Sequence, residues 1–265
     1  MRRPGTRRFV RRALTIGSLP LLALLSFTTA FAQQPTAVTE EAEKMHDLYI
    51  FVSILAIAVF VIVAGVLVAA LVRFRKTNDD LPKQVHGSTV LEMLWVAIPV
   101  LLVVIMFSYS IVILVEVNDE AEPEDLTVEV LGFQFGWVFT YNLDDLGTNT
   151  DAGAEGSFQI SGSVGDEPEL VIPVGEPVEF NLTSNDVIHS FYVYNFLYKL
   201  DVIPGRDNAF QVTATKTGTY HGQCAELCGI DHALMRFSIR IVERQEFDAW
   251  VAEQMEGAAS VRQPQ

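Results

Sequence analysis

A run of 25 residues without a single charge, 48–72 (LYIFVSILAIAVFVIVAGVLVAALV), sets the first limit on what this chain can fold into. About 20 apolar residues suffice to cross a bilayer, and inside one every backbone polar group must be satisfied within the segment. The run is predicted to be a membrane-spanning helix. A second run, 91–115, repeats the pattern with one acid, Glu92, near its start. The intervening loop, 73–90, carries Arg73, Arg75, Lys76 and Lys83, whereas the outer flanks hold Glu40, Glu41, Glu43 and Asp47 on one side and the acids of 116–125 on the other. Positive loops stay in the cytoplasm. The chain is thus expected to form a multi-pass helical hairpin in a bacterial plasma membrane. Its N-terminal segment 33–47 and everything from residue 116 onward lie outside.

Half of the residues are hydrophobic, yet the net charge is −15, so apolar and acidic residues are segregated along the chain. Residues 1–32 combine six arginines, an apolar run and the small-x-small site Ala30-Phe31-Ala32, the pattern of a cleaved signal peptide. Its removal takes away six arginines and no acids and moves the charge to −21. An exterior that acidic suits a cationic protein partner and not nucleic acid.

Beyond residue 126 the texture changes to short β-branched and aromatic runs such as LTVEVLGF, ELVIPVG, PVEFNLTS and LMRFSIRIV, punctuated by Gly, Pro, Asn and Asp. This reads as an all-β sandwich or barrel over 116–242. Residues 144–167 are rich in Gly, Ser and Asp and are expected to be a mobile insertion. Residues 243–265 have helical spacing, with Phe247, Trp250 and Val251 on one face as core contacts.

Cys224 and Cys228, the only cysteines, fall with two histidines and a methionine inside HGQCAELCGIDHALM, 221–235. A disulfide between them would close a very small ring and constrain the unfolded chain little. A zinc site from Cys224, Cys228, His232 and a fourth ligand would leave the methionine without a purpose. Thiolate, imidazole and thioether together are the ligand types of electron-transfer copper. Two thiolates can bridge two copper ions, and the second histidine is available upstream as His189 in NDVIHSFYV.

In order and spacing, NDVIHSFYV, KLDVIPGR and GQCAELCGIDHALM resemble subunit II of the haem-copper cytochrome c oxidases, in the bacterial form that carries the binuclear copper centre CuA. The resemblance covers the whole chain after residue 32. It implies a two-helix hairpin, a cupredoxin-like β-domain and a short C-terminal helix. It further implies that His189, Cys224, Cys228, His232, Met235 and the backbone carbonyl of Glu226 hold two copper ions. Relatives of this kind take electrons from cytochrome c, or from a c-type cytochrome subunit, and pass them to haem in subunit I. There oxygen is reduced to water with proton pumping.

Further roles come from the same resemblance. The Glu226 carboxylate and Asp201 would lie near a magnesium or manganese ion shared with subunit I. Glu92, in LEMLW, would lie at the mouth of a proton pathway. Phe135 and Trp137, in GFQFGWVFTY, would belong to an aromatic cluster for electron uptake, with Phe135 standing where many relatives carry tryptophan. Asp186, Asp201 and Asp231 would contribute to an acidic docking patch. The chain has no Cys-x-x-Cys-His and hence no expected haem of its own, so the donor is expected to be a separate protein or another subunit. Subunit III, membrane lipid and a respiratory supercomplex complete the expected surroundings. A quinol oxidase subunit lacks the copper ligands, a nitrous oxide reductase lacks the hairpin, and a copper carrier has no use for Glu92 or KLDVIPGR.

Overall fold

The computed structural model describes residues 35–75, 84, 86–118, 126–142 and 157–261. The predicted signal peptide, 1–32, lies outside the described residues. Helix α1, Glu40–Arg73, spans 34 residues. The Oγ1 of Thr39 caps it by accepting from the Ala42 N–H at 3.1 Å, and Glu40, Glu41 and Glu43 fill the first turn, where the helix dipole favours negative charge. At 1.5 Å per residue α1 exceeds a hydrocarbon core of about 30 Å, and it starts eight residues before the apolar run. Helix α2, Thr89–Val117, returns alongside. Phe51 meets Tyr109 edge-on at 5.0 Å, and Lys44 pairs with Glu116 at 3.5 Å. Both helices are long and apolar enough to cross a membrane. Side chains such as Phe60, Val66, Leu101 and Val103 stay exposed around them, a surface suited to lipid or other helices.

Among the described residues, ten strands follow in two sheets. The first is ordered β3-β2-β1-β5-β8 and the second β4-β10-β9-β6-β7. Their ranges are β1 Leu126–Phe133, β2 Gly136–Asn142, β3 Ser157–Ser163, β4 Glu169–Pro173, β5 Pro177–Ser184, β6 His189–Val193, β7 Tyr198–Val202, β8 Asn208–Thr213, β9 Gly218–Cys224 and β10 Arg236–Val242. Strand β1 pairs with β5 in parallel and β10 with β4 in parallel. Alternate residues of β1 and β5 are buried, the period-2 pattern of strands with one face on a core. Val128, Val130, Phe139, Phe180, Leu182, Phe191, Phe237 and Ile239 fill the space between the sheets. Each of these large side chains contributes about 1.5–3 kcal/mol by burial.

The region read as a mobile insertion is corrected in part. Residues 143–156 lie outside the described residues, but Ser157–Ser163 form β3, antiparallel to β2 with Phe158 opposite Tyr141. One aromatic makes the difference. The buried Phe158 stacks on Tyr141 at 4.9 Å and meets Trp250 at 5.5 Å. Trp250 belongs to α3, Arg244–Val261, whose Phe247 and Val251 are fully buried. Tyr141 also donates its hydroxyl hydrogen to the Val171 carbonyl and accepts from the Val171 N–H, both at 2.8 Å. That link joins the first sheet to the second.

The segment ahead of α1 is stitched to the sandwich. The Val38 carbonyl accepts from the Thr215 N–H at 2.7 Å, and the Val38 N–H donates to the Asn195 carbonyl at 3.3 Å. Thr39 bridges Ala214 just past β8, and Glu41 accepts from the Thr213 N–H at 3.0 Å. Val38, Thr39 and Ala42 are buried there. Where α2 ends, on the same side of the hairpin as the Lys44–Glu116 pair, Tyr198 donates to Asn118 at 3.3 Å.

Candidate metal centre

One end of the sandwich gathers the chemistry. His189 opens β6, Cys224 closes β9, and Met235 immediately precedes β10. The loop from Cys224 to Met235 carries Cys228 and a 3-10 turn, His232–Leu234. Its two ends are held together by the Cys224 N–H donating to the Met235 carbonyl at 3.0 Å, and its start is tied to β6 by the Ala225 N–H donating to the Ser190 carbonyl at 3.0 Å. His189, Cys224, Cys228 and Met235 are buried, His232 is half-buried, and the Glu226 side chain is exposed.

The two sulfurs lie 3.9 Å apart, and both cysteines are free. That spacing is far beyond a disulfide bond of about 2.05 Å. Cys224 Sγ is 3.9 Å from His189 Nδ1, while Cys228 Sγ is 3.7 Å from His232 Nδ1 and 3.9 Å from Met235 Sδ. The Glu226 carbonyl oxygen lies 3.3 Å from Cys224 Sγ. A first-row metal bonds sulfur at about 2.3 Å and nitrogen at about 2.0 Å, so each pair is close enough to share an ion. The thiol and imidazole atoms of His189, Cys224 and Cys228 all lie within 4.8 Å of one another. His232 falls outside that cluster and approaches the opposite sulfur. Each sulfur thus has a different histidine nitrogen within 4 Å.

Protonation supports the same donor set. Burial opposes ionisation of Cys224, but hydrogen bonding with His189, the backbone at Glu226 and Ser190, and His232 brings its thiol down to about 7. Burial and the charge of Cys224 push Cys228 up to about 12. Ligation of a metal requires thiolates, so binding an ion here releases protons and depends on pH. The His189 Nε2 lies 2.8 Å from Asp186 Oδ1. A proton held there leaves Nδ1 as the lone pair facing the sulfurs. Burial disfavours charge on His189, yet its contacts with Cys224 and Asp186 outweigh that and raise its pKa. Burial likewise disfavours charge on Asp186, but hydrogen bonds from His189, Val187 and Gln134 hold it below the usual aspartate value.

The remaining candidates are scattered. Asp186 is exposed, and its position three residues before His189, across a turn, also brings its carboxylate to the imidazole. Trp137 is fully buried, 5.9 Å from Phe191, 5.5 Å from Phe237 and 6.2 Å from His189. It has no surface to offer a donor protein. Phe135 sits half-buried at the tip of the β1–β2 turn, against Gly229 of the cysteine loop. Gly132 lets the His189 ring lie on β1, because a Cβ there would meet His189 Cδ2 at 3.1 Å. Asp201 faces Lys199 at 3.5 Å and stands opposite Ser190 across β6–β7. Glu92 occupies the first turn of α2, at the end remote from Val117. Leu227, Ile230 and Leu234 form an exposed apolar rim, with Ile230 92% exposed.

Two family models match. The periplasmic domain of cytochrome C oxidase subunit II covers residues 126–242, and the transmembrane domain of the same subunit covers 25–113. The chain belongs to the cytochrome c oxidase subunit II family. It is 32% identical to the probable cytochrome c oxidase subunit 2 of Rickettsia bellii over 95% of this chain and 96% of that one. It is 35% identical to the probable subunit 2 of Streptomyces avermitilis over 93% and 86%. Among solved structures, the periplasmic domain of subunit II of the Bradyrhizobium japonicum cytochrome oxidase is 36% identical and covers 52% of this chain and 99% of that one, with a TM-score of 0.44. The two apolar helices, the β-sandwich and the His/Cys/Cys cluster are all consistent with a membrane-bound oxidase subunit that holds copper outside the bilayer.

Proposed function

We propose that this chain is the electron-accepting subunit of a proton-pumping cytochrome c oxidase in a bacterial plasma membrane. It takes electrons from cytochrome c, or a c-type cytochrome subunit, and delivers them to haem in subunit I, where oxygen becomes water. The observation that carries this reading is the convergence of two free thiols, two imidazoles and one thioether at one end of the sandwich, each imidazole beside a different sulfur.

His189, Cys224, Cys228, His232, Met235 and the Glu226 carbonyl are the proposed ligands of a binuclear CuA centre. Copper bound there supplies a one-electron couple. The protein keeps the sulfurs dry and at fixed separation, holds the His189 proton on Nε2 through Asp186, and excludes water with Met235 and the aromatic core. The apolar rim of Leu227, Ile230 and Leu234 suits burial against partner proteins, namely the donor and subunit I, with subunit III and a supercomplex further out. For Glu226 with Asp201 we propose a place beside a magnesium or manganese ion that subunit I completes, since their oxygens suit such ions. Glu92, at the loop end of α2, is proposed to deliver protons to subunit I. The residues 1–32 would be cleaved and the hairpin loop would face the cytoplasm.

The test is copper reconstitution of the full chain in detergent, followed by metal analysis, visible and near-infrared absorption and electron spin resonance. Two coppers per chain with one unpaired electron spread over both nuclei are expected. A single copper, a zinc ion or a persistent Cys224–Cys228 disulfide overturns the reading.

A further inference from the structure

The loops that carry His189 and Cys228 both belong to the second sheet, yet hydrogen bonds join them through the first. The link is the β1–β2 turn, and its central member is Gln134. The side-chain Nε2 of Gln134 donates to the Cys228 carbonyl at 2.6 Å. Its backbone N–H donates to Asp186 Oδ2 at 2.7 Å. The other oxygen of the same carboxylate meets His189 Nε2 at 2.8 Å and accepts from the Val187 N–H at 2.6 Å. An unbroken chain of three contacts thus runs from the main chain of one thiol to the imidazole beside the other. The Gln134 side chain is exposed, so core packing gives no reason for its identity. An amide N–H aimed at a carbonyl does. Gly229 completes the fit, because a Cβ there would stand 3.1 Å from Gln134 Nε2.

We propose that Gln134 is a positioning residue for the metal centre, strapping the Cys228 loop to the Asp186–His189 pair so that ligands on two separate loops keep one spacing. The proposal rests on the copper reading of the cluster. It assigns a task to a turn that offers no ligand itself. Side chains that orient metal ligands typically account for 10–100-fold in metal affinity or activity. The same turn seats the Phe135 ring against Gly229, so the strap also sets the surface above Cys228.

Two substitutions separate the strap from general stability. Gln134→Leu removes the amide, and Gln134→Glu keeps shape and solubility but sets an acceptor against the Cys228 carbonyl. Both leave the backbone bond to Asp186. Gln159→Leu, on the exposed face of β3, serves as the control. Full-length chains in detergent are loaded with copper and compared by copper stoichiometry, hyperfine splitting, reduction potential and the rate of copper loss to a chelator. Both Gln134 variants are expected to bind two coppers, lose them about tenfold faster than wild type, and show altered hyperfine splitting and a shifted potential, while Gln159→Leu matches wild type. If Gln134→Leu fails to fold, Gln134→Glu carries the comparison alone. Wild-type values in the Gln134 variants overturn the strap while leaving the copper reading intact. A wild-type chain that takes up no copper pair overturns both, and it does so before any variant is compared.

Discussion

Replacing Gly229 with alanine is the sharpest probe of how the cysteine loop meets the β1–β2 turn. Gly229 has a φ of +143°, a conformation that glycine adopts freely and residues with a Cβ rarely do. Such backbone strain costs of order 1–3 kcal/mol. A Cβ at this position would also stand 2.8 Å from Phe135 Cζ and 2.9 Å from Phe135 Cε1, inside ordinary contact, so the ring must move. Strain and displacement together should destabilise the domain by about 2–4 kcal/mol, of which roughly 1 kcal/mol belongs to the ring, the usual size of coupling between touching residues. The assay is thermal unfolding of the full chain in detergent, followed by near-ultraviolet circular dichroism, for Gly229→Ala, Phe135→Ala and the double variant. At about 2–4 °C per kcal/mol for a domain of this size, Gly229→Ala alone should lower the midpoint by roughly 5–15 °C. In the Phe135→Ala background the same change should cost about 1 kcal/mol less, because the clash has gone. A loss below about 0.5 kcal/mol in the wild-type background, or an equal loss in both, refutes the reasoning.

Phe158→Ala should cost about 3–5 kcal/mol, as large-to-small changes in cores do, because β3 is anchored on Tyr141 and Trp250; denaturant unfolding that left stability unchanged would return 157–163 to the status of a loose insertion. Burial raises the Tyr141 pKa above the ordinary value for tyrosine, so its contribution is fully present below about pH 10 and is lost as pH rises further. Tyr141→Phe should flatten that alkaline loss and cost about 1–3 kcal/mol at neutral pH through the unpaired Val171 groups, both read from unfolding curves across pH. Thr39→Ala removes the cap on α1 and should cost about 1 kcal/mol, with proteolysis ahead of residue 40 becoming faster; an unchanged rate speaks against the cap.

Hydropathy announced the helices, because a bilayer admits few alternatives, and the spacing of Cys224, Cys228, His232 and Met235 pointed to one metal-binding loop. Less was legible where geometry depends on distant partners. The composition of 144–167 suggested a loop because Gly and Ser outnumber its apolar residues, yet one aromatic opposite Tyr141 suffices to pair Ser157–Ser163 with β2. Asp186 read as one surface acid among many, and only the turn before β6 reveals that it faces His189. The bond from Gln134 to the cysteine loop is not legible in the sequence, since its partner is 94 residues away. Trp137 is legible as part of an aromatic cluster, but its depth is not: period-2 alternation in β2 turns it fully inward.

The bond between Glu41 and Thr213 spans 172 residues and, with the Thr39–Ala214 bridge, covers the C-terminal end of β8. Strand β8 is the last in its sheet, and an uncovered last strand offers its free N–H and C=O groups to any chain that can pair with them. The cover here comes from residues that precede the first apolar helix, whereas the strand follows the second. The protection of that edge therefore waits until both helices are in place and the chain has returned to its own beginning. Contacts of such long sequence separation form slowly. Until those contacts form, the C-terminal end of β8 stays open to pairing with another chain.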